Sequence, residues 1–244
     1  MKQFPSINLP RLTRATALLY LLITVVASYT HFILPGRLIV SGDGHATVHN
    51  LSVSLSTFRV GSIGGELIIL LSEAVLTVLL YILFRQVSRT LALLALTSRL
   101  LMTGIHAVNL LTTFSLLQVL GAPLASALTS TQREALTLYL LDAHQFGFTV
   151  GVAFLGIHAA ALGWLMIRSG FVPRVLGGMF VLASAGYLFN SGSLLLGVYE
   201  QTPAPIALVI AVSEVAFPLW LLFRGIDAAR WQIGRAPAEL RLQR

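Results

Sequence analysis

Six long apolar runs, 15–34, 63–84, 91–119, 136–167, 175–196 and 206–223, constrain this chain more than any other feature. Each crosses about 30 Å of hydrocarbon as a helix rising about 1.5 Å per residue. In lipid a backbone must satisfy its own hydrogen bonds, so such runs are helices. The expected fold is therefore all-α, a polytopic transmembrane bundle of six helices within one membrane domain, 1–244. Charge supports this reading. Only 10% of the residues are charged and 56% are hydrophobic, where soluble domains carry about 25% charged residues.

The basic residues alternate between connections. Lys2, Arg11 and Arg14 precede the first run. Arg85 and Arg89 lie between the second and third, and Arg168 and Arg174 between the fourth and fifth. Arg224, Arg230, Arg235, Arg241 and Arg244 follow the last, while the other three connections hold only Arg37, Arg59 and Arg133. The positive-inside rule then places both termini in the cytoplasm. This pattern accounts for the net charge of +7 and leaves no basic stripe with interleaved aromatics for nucleic acid. The first run has a signal-like basic flank, but at about 20 residues it is long enough to span, and it reads as an uncleaved helix. There is no cysteine, which excludes disulfides, iron–sulfur clusters and thiol chemistry.

Short links such as 86–90 and 169–174 make their flanking helices antiparallel neighbours, and Pro173, Pro203 and Pro205 mark helix starts. The third and fourth runs exceed the bilayer and should tilt or project. In the long outward connection, 35–62, Val48, Leu51, Leu55 and Phe58 recur at helical spacing, opposite His45, His49, Ser52 and Ser56. That pattern predicts an amphipathic helix lying on the outer leaflet; an alternating Leu51, Val53, Leu55 strand is the alternative. After Arg224 an interfacial helix anchored by Trp231 is expected, then a frayed end.

The run Leu141-Asp142-Ala143-His144-Gln145-Phe146-Gly147-Phe148, with Gly151, Phe154, Gly156 and His158, resembles one bacterial membrane family. So does the run from Arg168 through Pro173 to Gly177, with Gly186, Tyr187 and Asn190. Arg85, 89–94, Arg99, Leu100, Ser213, Glu214 and 219–221 also fit. The family is catalogued as domain of unknown function four-three-eight-six. The resemblance covers most of the chain and is most specific across the fourth and fifth helices. It implies a six-helix protein of the bacterial inner membrane and carries no activity. It assigns no role to His31, His45, His49 or His106.

Ionisable side chains at membrane depth are costly, about 2.5–3.5 kcal/mol at the centre, so they face the interior and find partners. Counted from the cytoplasmic arginines, Glu73 lies at about 18 Å, and Arg99, His158 and Glu214 at about 15 Å. These four residues form an expected midplane ionic layer, with Arg99 paired to Glu73, Glu214 or both. Such a layer either fixes helix register or carries protons or substrate. Pro218 cannot donate to the carbonyl of Glu214, so a kink is expected beside that carboxyl.

A second layer lies outward. His31 and His106 fall at about 25 Å, Asn190 at about 24 Å and Glu66 at about 28 Å; His144 is higher still, beside Asp142, and Asn109 is one turn beyond His106. Glu66 and Glu73 share a helix face, as do Arg99 and His106, which joins the layers along one seam. On the fourth helix His144, Gly147, Gly151 and His158 form a stripe whose glycines suit close helix packing or a flat ligand.

Cofactor identity stays open. Two stacked haems on His144 and His158 would need two facing histidines, and only His106 is near the outer level. A single haem between His106 and His144 meets a depth mismatch of about 10 Å. A metal drawn from His31, His106, His144, Glu66 and Asp142 has suitable donors but no tight local spacing. His45 and His49 read as solvated, and neither a phosphate loop nor a nucleophile elbow occurs.

Three functions fit. The first is binding or sensing of a small apolar or amphipathic molecule in an outward-opening pocket, with Glu66, His106, Asn109, Asp142, His144 and Asn190 as polar groups and Tyr187 on its wall. The second is an intramembrane enzyme acting on a lipid-like or isoprenoid substrate, with Glu73, Glu214 or His158 as catalytic candidates. The third is a proton-coupled carrier, which lacks the usual inverted repeat. Gly147 and Gly151 leave homo-oligomeric packing open.

Overall fold

The structure, a computed structural model, describes residues 8–198 and 203–233; Lys2, Arg235, Arg241 and Arg244 lie outside the described residues. Six helices are long and apolar enough to cross a membrane: α1 Leu9–Leu38, α2 Leu55–Phe84, α3 Arg89–Leu120, α4 Ser130–Ser169, α5 Arg174–Leu195 and α6 Ala204–Phe223. No strand occurs among the described residues.

Local chemistry sets the ends. Ser88 caps α3 through its hydroxyl, and Thr129 with Gln132 forms a reciprocal box at the start of α4. Pro173 and Pro203 stand at the N-caps of α5 and α6, where a missing N–H costs nothing. Helix α4 stops at Gly170, whose φ of 69° is a left-handed cap open to glycine. Pro218 sits inside α6, which remains one helix through Phe223.

Each helix packs on its chain neighbours, and α6 returns to α1, closing an up-and-down ring. Tyr20, Leu76, Leu83, Leu162, Leu165, Phe180, Phe217 and Leu221 fill its interior. Outward, Leu18, Val25, Phe32, Leu71, Val108, Leu111, Leu182 and Leu208 are exposed. Apolar outside as well as inside is the pattern of helices solvated by lipid. At the α4–α5 crossing two backbones meet. A Cβ on Gly163 would lie 2.7 Å from the Gly177 carbonyl, and one on Gly177 the same distance from that of Gly163. Glycine at both positions lets the backbones touch.

Two expectations outside the spans change. Gly44–Val53 is helical, but Val48 and Leu51 are buried with Leu34, Leu38, Leu116, Leu117 and Leu120. That face turns to protein, not to an outer leaflet. Its helix lies against α4, whose 40 residues outreach the bilayer. Leu55 and Phe58 belong to α2, which begins eight residues before the predicted boundary at 63. Trp231, on the helix Ala228–Ile233, is also buried, and its indole N–H donates to the Leu83 carbonyl at 3.1 Å. It anchors the tail to the bundle rather than to the interface.

Candidate functional site

The inner polar layer draws at least one residue from every long helix. Arg99 on α3 is 3% exposed. Its Nη2 donates to Glu73 Oε1 on α2 at 3.4 Å, and its Nη1 to His158 Nε2 on α4 at 3.3 Å. Because a guanidinium only donates, His158 must accept at Nε2 and carry its proton on Nδ1. That proton goes to the Ala95 carbonyl at 2.8 Å. Thr103, one turn beyond Arg99, donates to Glu73 Oε2 at 2.9 Å. Across the ring, Glu214 on α6 accepts from the Tyr20 hydroxyl of α1 at 2.7 Å and from the Tyr187 hydroxyl of α5 at 2.9 Å. Tyr20 joins the two halves, since the Arg99 guanidinium lies over its ring at 5.4 Å.

Glu73, Arg99, His158 and Glu214 thus stand at one level and face inward. Glu214 is not within ion-pair distance of Arg99; its partners are phenols. Tyr187 moves from the outer wall, where the sequence reading put it, to the inner layer, because its hydroxyl points to Glu214. Tyr20 was missed altogether. A tyrosine within an apolar run was its only signal, and that signal is shared with Tyr29 of the same run, which is exposed.

The outer layer joins α1, α2, α3 and α4. His31 Nε2 lies 3.3 Å from Glu66 Oε2. The Phe148 ring of α4 sits between two imidazoles, 4.8 Å from that of His31 and stacked at 4.8 Å on that of His106. His106 Nε2 donates to the Phe148 carbonyl at 3.2 Å, which places its proton on that nitrogen. The Asn109 amide donates to the His144 carbonyl at 2.9 Å and faces His144 Nδ1 at 3.2 Å. Thr112 and Thr113 approach the same nitrogen at 3.1 and 3.2 Å. Phe148 and these threonines carried no sequence signal that separated them from packing residues.

The α4 stripe is the face applied to α3. His144 and Gly147 meet Asn109, Gly151 meets His106, and His158 meets Ala95 and Arg99. A Cβ on Gly147 would run into Asn109 Oδ1, and one on Gly151 into His106 Nε2. These glycines make room for polar side chains of the same chain.

The backbone is irregular at this level. The α1 segment Tyr29–Ile33, which carries His31, is a π-helical turn. So is Val60–Gly64 in α2, which ends two residues before Glu66. The Thr30 hydroxyl donates across to the Gly61 carbonyl at 3.2 Å, joining the two widened turns.

Several predicted members are not gathered. Asp142 is exposed, because its position on α4 points away from α3. Asn190 is half-buried on α5, outside the α1–α4 helices that carry the outer layer. His45 and His49 are exposed. Among the described residues no three His, Asp or Glu side chains lie close enough to share a metal ion, so His31, His106 and His144 do not form one centre. A cavity of about 10 Å³, room for one water, lies beside His158 and is lined by Thr77, Ala92, Ala95 and Leu162. It is on the inner side of Arg99, away from the outer layer.

A family model described as a domain of unknown function, DUF4386, matches residues 15–225. A protein described as uncharacterized, from Archaeoglobus fulgidus, is 27% identical over 165 residues, covering 67% of this chain and 83% of its own length. No solved structure matches. The matched segment takes in most of α1 and all of α2 to α6, and with them both polar layers; the chain belongs to the DUF4386 family.

Proposed function

We propose that the protein is a single-domain, multi-pass protein of the bacterial cytoplasmic membrane that binds a small amphipathic molecule at the outer layer. Glu66, His31, His106, Asn109 and His144 supply the polar contacts, and Phe148 is the apolar surface among them. The observation that carries this reading is the pair of facing π-helical turns beside His31 and Glu66. Such turns are rare and concentrate at functional sites, and irregular backbone at membrane depth is tolerated where it lines a protected site. Two neighbouring helices widen at one level, and each presents an ionisable side chain to the other.

Orientation follows from charge. Arg11, Arg14, Arg85, Arg89, Arg168, Arg174 and Arg224 are all exposed, and they occupy one end of the ring. The tail joins that end, where Arg230 Nη1 donates to the Gly170 carbonyl at 3.3 Å. We place this end, with both termini, in the cytoplasm and the His31–Glu66 layer towards the outside.

The test is the molecule itself. Wild-type protein purified into lipid nanodiscs is extracted and its small molecules are compared by mass spectrometry with those of Glu66→Gln and His45→Ala. A species present in the wild type and His45→Ala but depleted at least tenfold in folded Glu66→Gln is the expected result. Identical profiles, with no compound that raises the thermal stability of the wild type above that of Glu66→Gln, would sink the reading.

A further inference from the structure

The inner layer holds one guanidinium and two carboxyls, and its histidine is held neutral. Glu73 bonds to the charged Arg99, and Thr103 completes its shell. Arg99 has no acceptor, so nothing on its side of Glu73 can receive a proton donated by that carboxyl. Glu214 differs. Both its oxygens accept from neutral phenols, and a phenol oxygen accepts as readily as it donates. If both carboxyls ionise, the layer carries a net negative charge in a low-dielectric interior, an arrangement proteins avoid. The hydrogen bonds suit the ionised form of Glu214, while the charge balance of the layer suits its neutral form.

We propose that Glu214 is a proton-binding site, taking up and releasing one proton while Tyr20 and Tyr187 reorient to follow it. On uptake an O–H bond forms at one Glu214 oxygen and no other covalent bond changes. The phenol facing that oxygen turns from donor to acceptor. Release reverses the step, and the proton passes to water. Every other helix of the ring contributes a group that faces the site or its partners: Tyr20 from α1, Glu73 from α2, Arg99 from α3, His158 from α4 and Tyr187 from α5. Because Tyr20 touches both Glu214 and Arg99, the proton on α6 is sensed by the α2–α3–α4 side of the ring. This proposal does not rest on the outer-layer reading.

Infrared spectroscopy of the full chain in lipid nanodiscs tests it. Titrated across the pH range in which the fold persists, the wild type shows a carbonyl-stretch band of a neutral carboxylic acid that shifts in heavy water and disappears on alkalinisation. The band is lost in Glu214→Gln and kept in Glu66→Gln. Its frequency reports which carboxyl holds the proton, because each hydrogen bond to an acid carbonyl lowers that stretch. Tyr20→Phe or Tyr187→Phe therefore displaces the band, and Thr103→Val, which touches Glu73 and the Arg99 carbonyl but not Glu214, leaves it in place. The Tyr and Thr variants decide the matter even if Glu214→Gln does not fold. No titrating band in the wild type overturns the proposal. So does a band retained in folded Glu214→Gln, a band lost in Glu66→Gln, one unmoved by both Tyr variants, or one moved by Thr103→Val.

Discussion

The two polar layers sit on the same helices yet differ in what they hold together. The inner one links all six helices, and its Glu73, Arg99 and His158 are almost fully buried. The outer one links α1 to α4, leaves His31 and His144 partly accessible, and needs two widened turns to assemble. A layer that touches every helix is hard to alter without altering the bundle. A layer built on irregular backbone at one side can change its contents while the ring stays closed. The difference separates a framework from a site, and substitutions can test where that line falls.

The largest effect is expected at Arg99. Arg99→Met leaves Glu73 buried with only Thr103 as partner, and removal of one member of such a pair costs about 3–5 kcal/mol. Thermal unfolding in detergent reads this as a large drop, and the double variant Arg99→Met/Glu73→Leu recovers much of it. A single variant as stable as the wild type would remove the inner layer from the framework.

Gly151→Ala comes next. Its methyl group would meet His106 Nε2, and overpacking of this kind costs about 1–3 kcal/mol. The same variant displaces His106 from Phe148, so retention of any bound molecule should fall with it. Unchanged stability together with unchanged retention would show that α3 and α4 slide apart freely at this level.

Glu66→Gln sharpens the contrast. It keeps the shape of the side chain and alters one hydrogen bond to His31, a change of about 0.5–1.5 kcal/mol. The expectation is a small stability loss beside a large loss of bound molecule, where Arg99→Met loses stability first. If Glu66→Gln unfolds the protein as Arg99→Met does, the outer layer is framework as well.

His49→Ala should do least. The side chain is exposed on the loop helix, and such surface changes stay within about 0.5 kcal/mol. A measurable effect on the bound molecule would extend the site to the loop.

Much of the frame is legible in the chain. Six runs of lipid-compatible length can only be helices, and short links impose antiparallel neighbours. Counting rise per residue put Glu73, Arg99, His158 and Glu214 at one level, because depth along a helix depends on sequence separation alone. Helical periodicity likewise put His144, Gly147, Gly151 and His158 on one face. Azimuth between helices is a different matter, and there the reading failed. Tyr187 turned to Glu214 rather than to the outer layer, and Asp142 turned outward. Trp231 and the face of Gly44–Val53 bearing Val48 and Leu51 sank into protein instead of lipid.

The sequence by itself determined the six helices, their neighbours along the chain and the shared level of Glu73, Arg99, His158 and Glu214, since these follow from length, hydropathy and helical rise. Only the tertiary structure decided that α6 closes on α1, that Tyr20 bridges Arg99 and Glu214, and that α1 and α2 widen beside His31 and Glu66. The physical reason is that partner choice depends on how each helix rotates about its axis. That rotation is set by packing between residues far apart in the chain, such as Tyr20 and Glu214 or Gly151 and His106, and no local pattern records it.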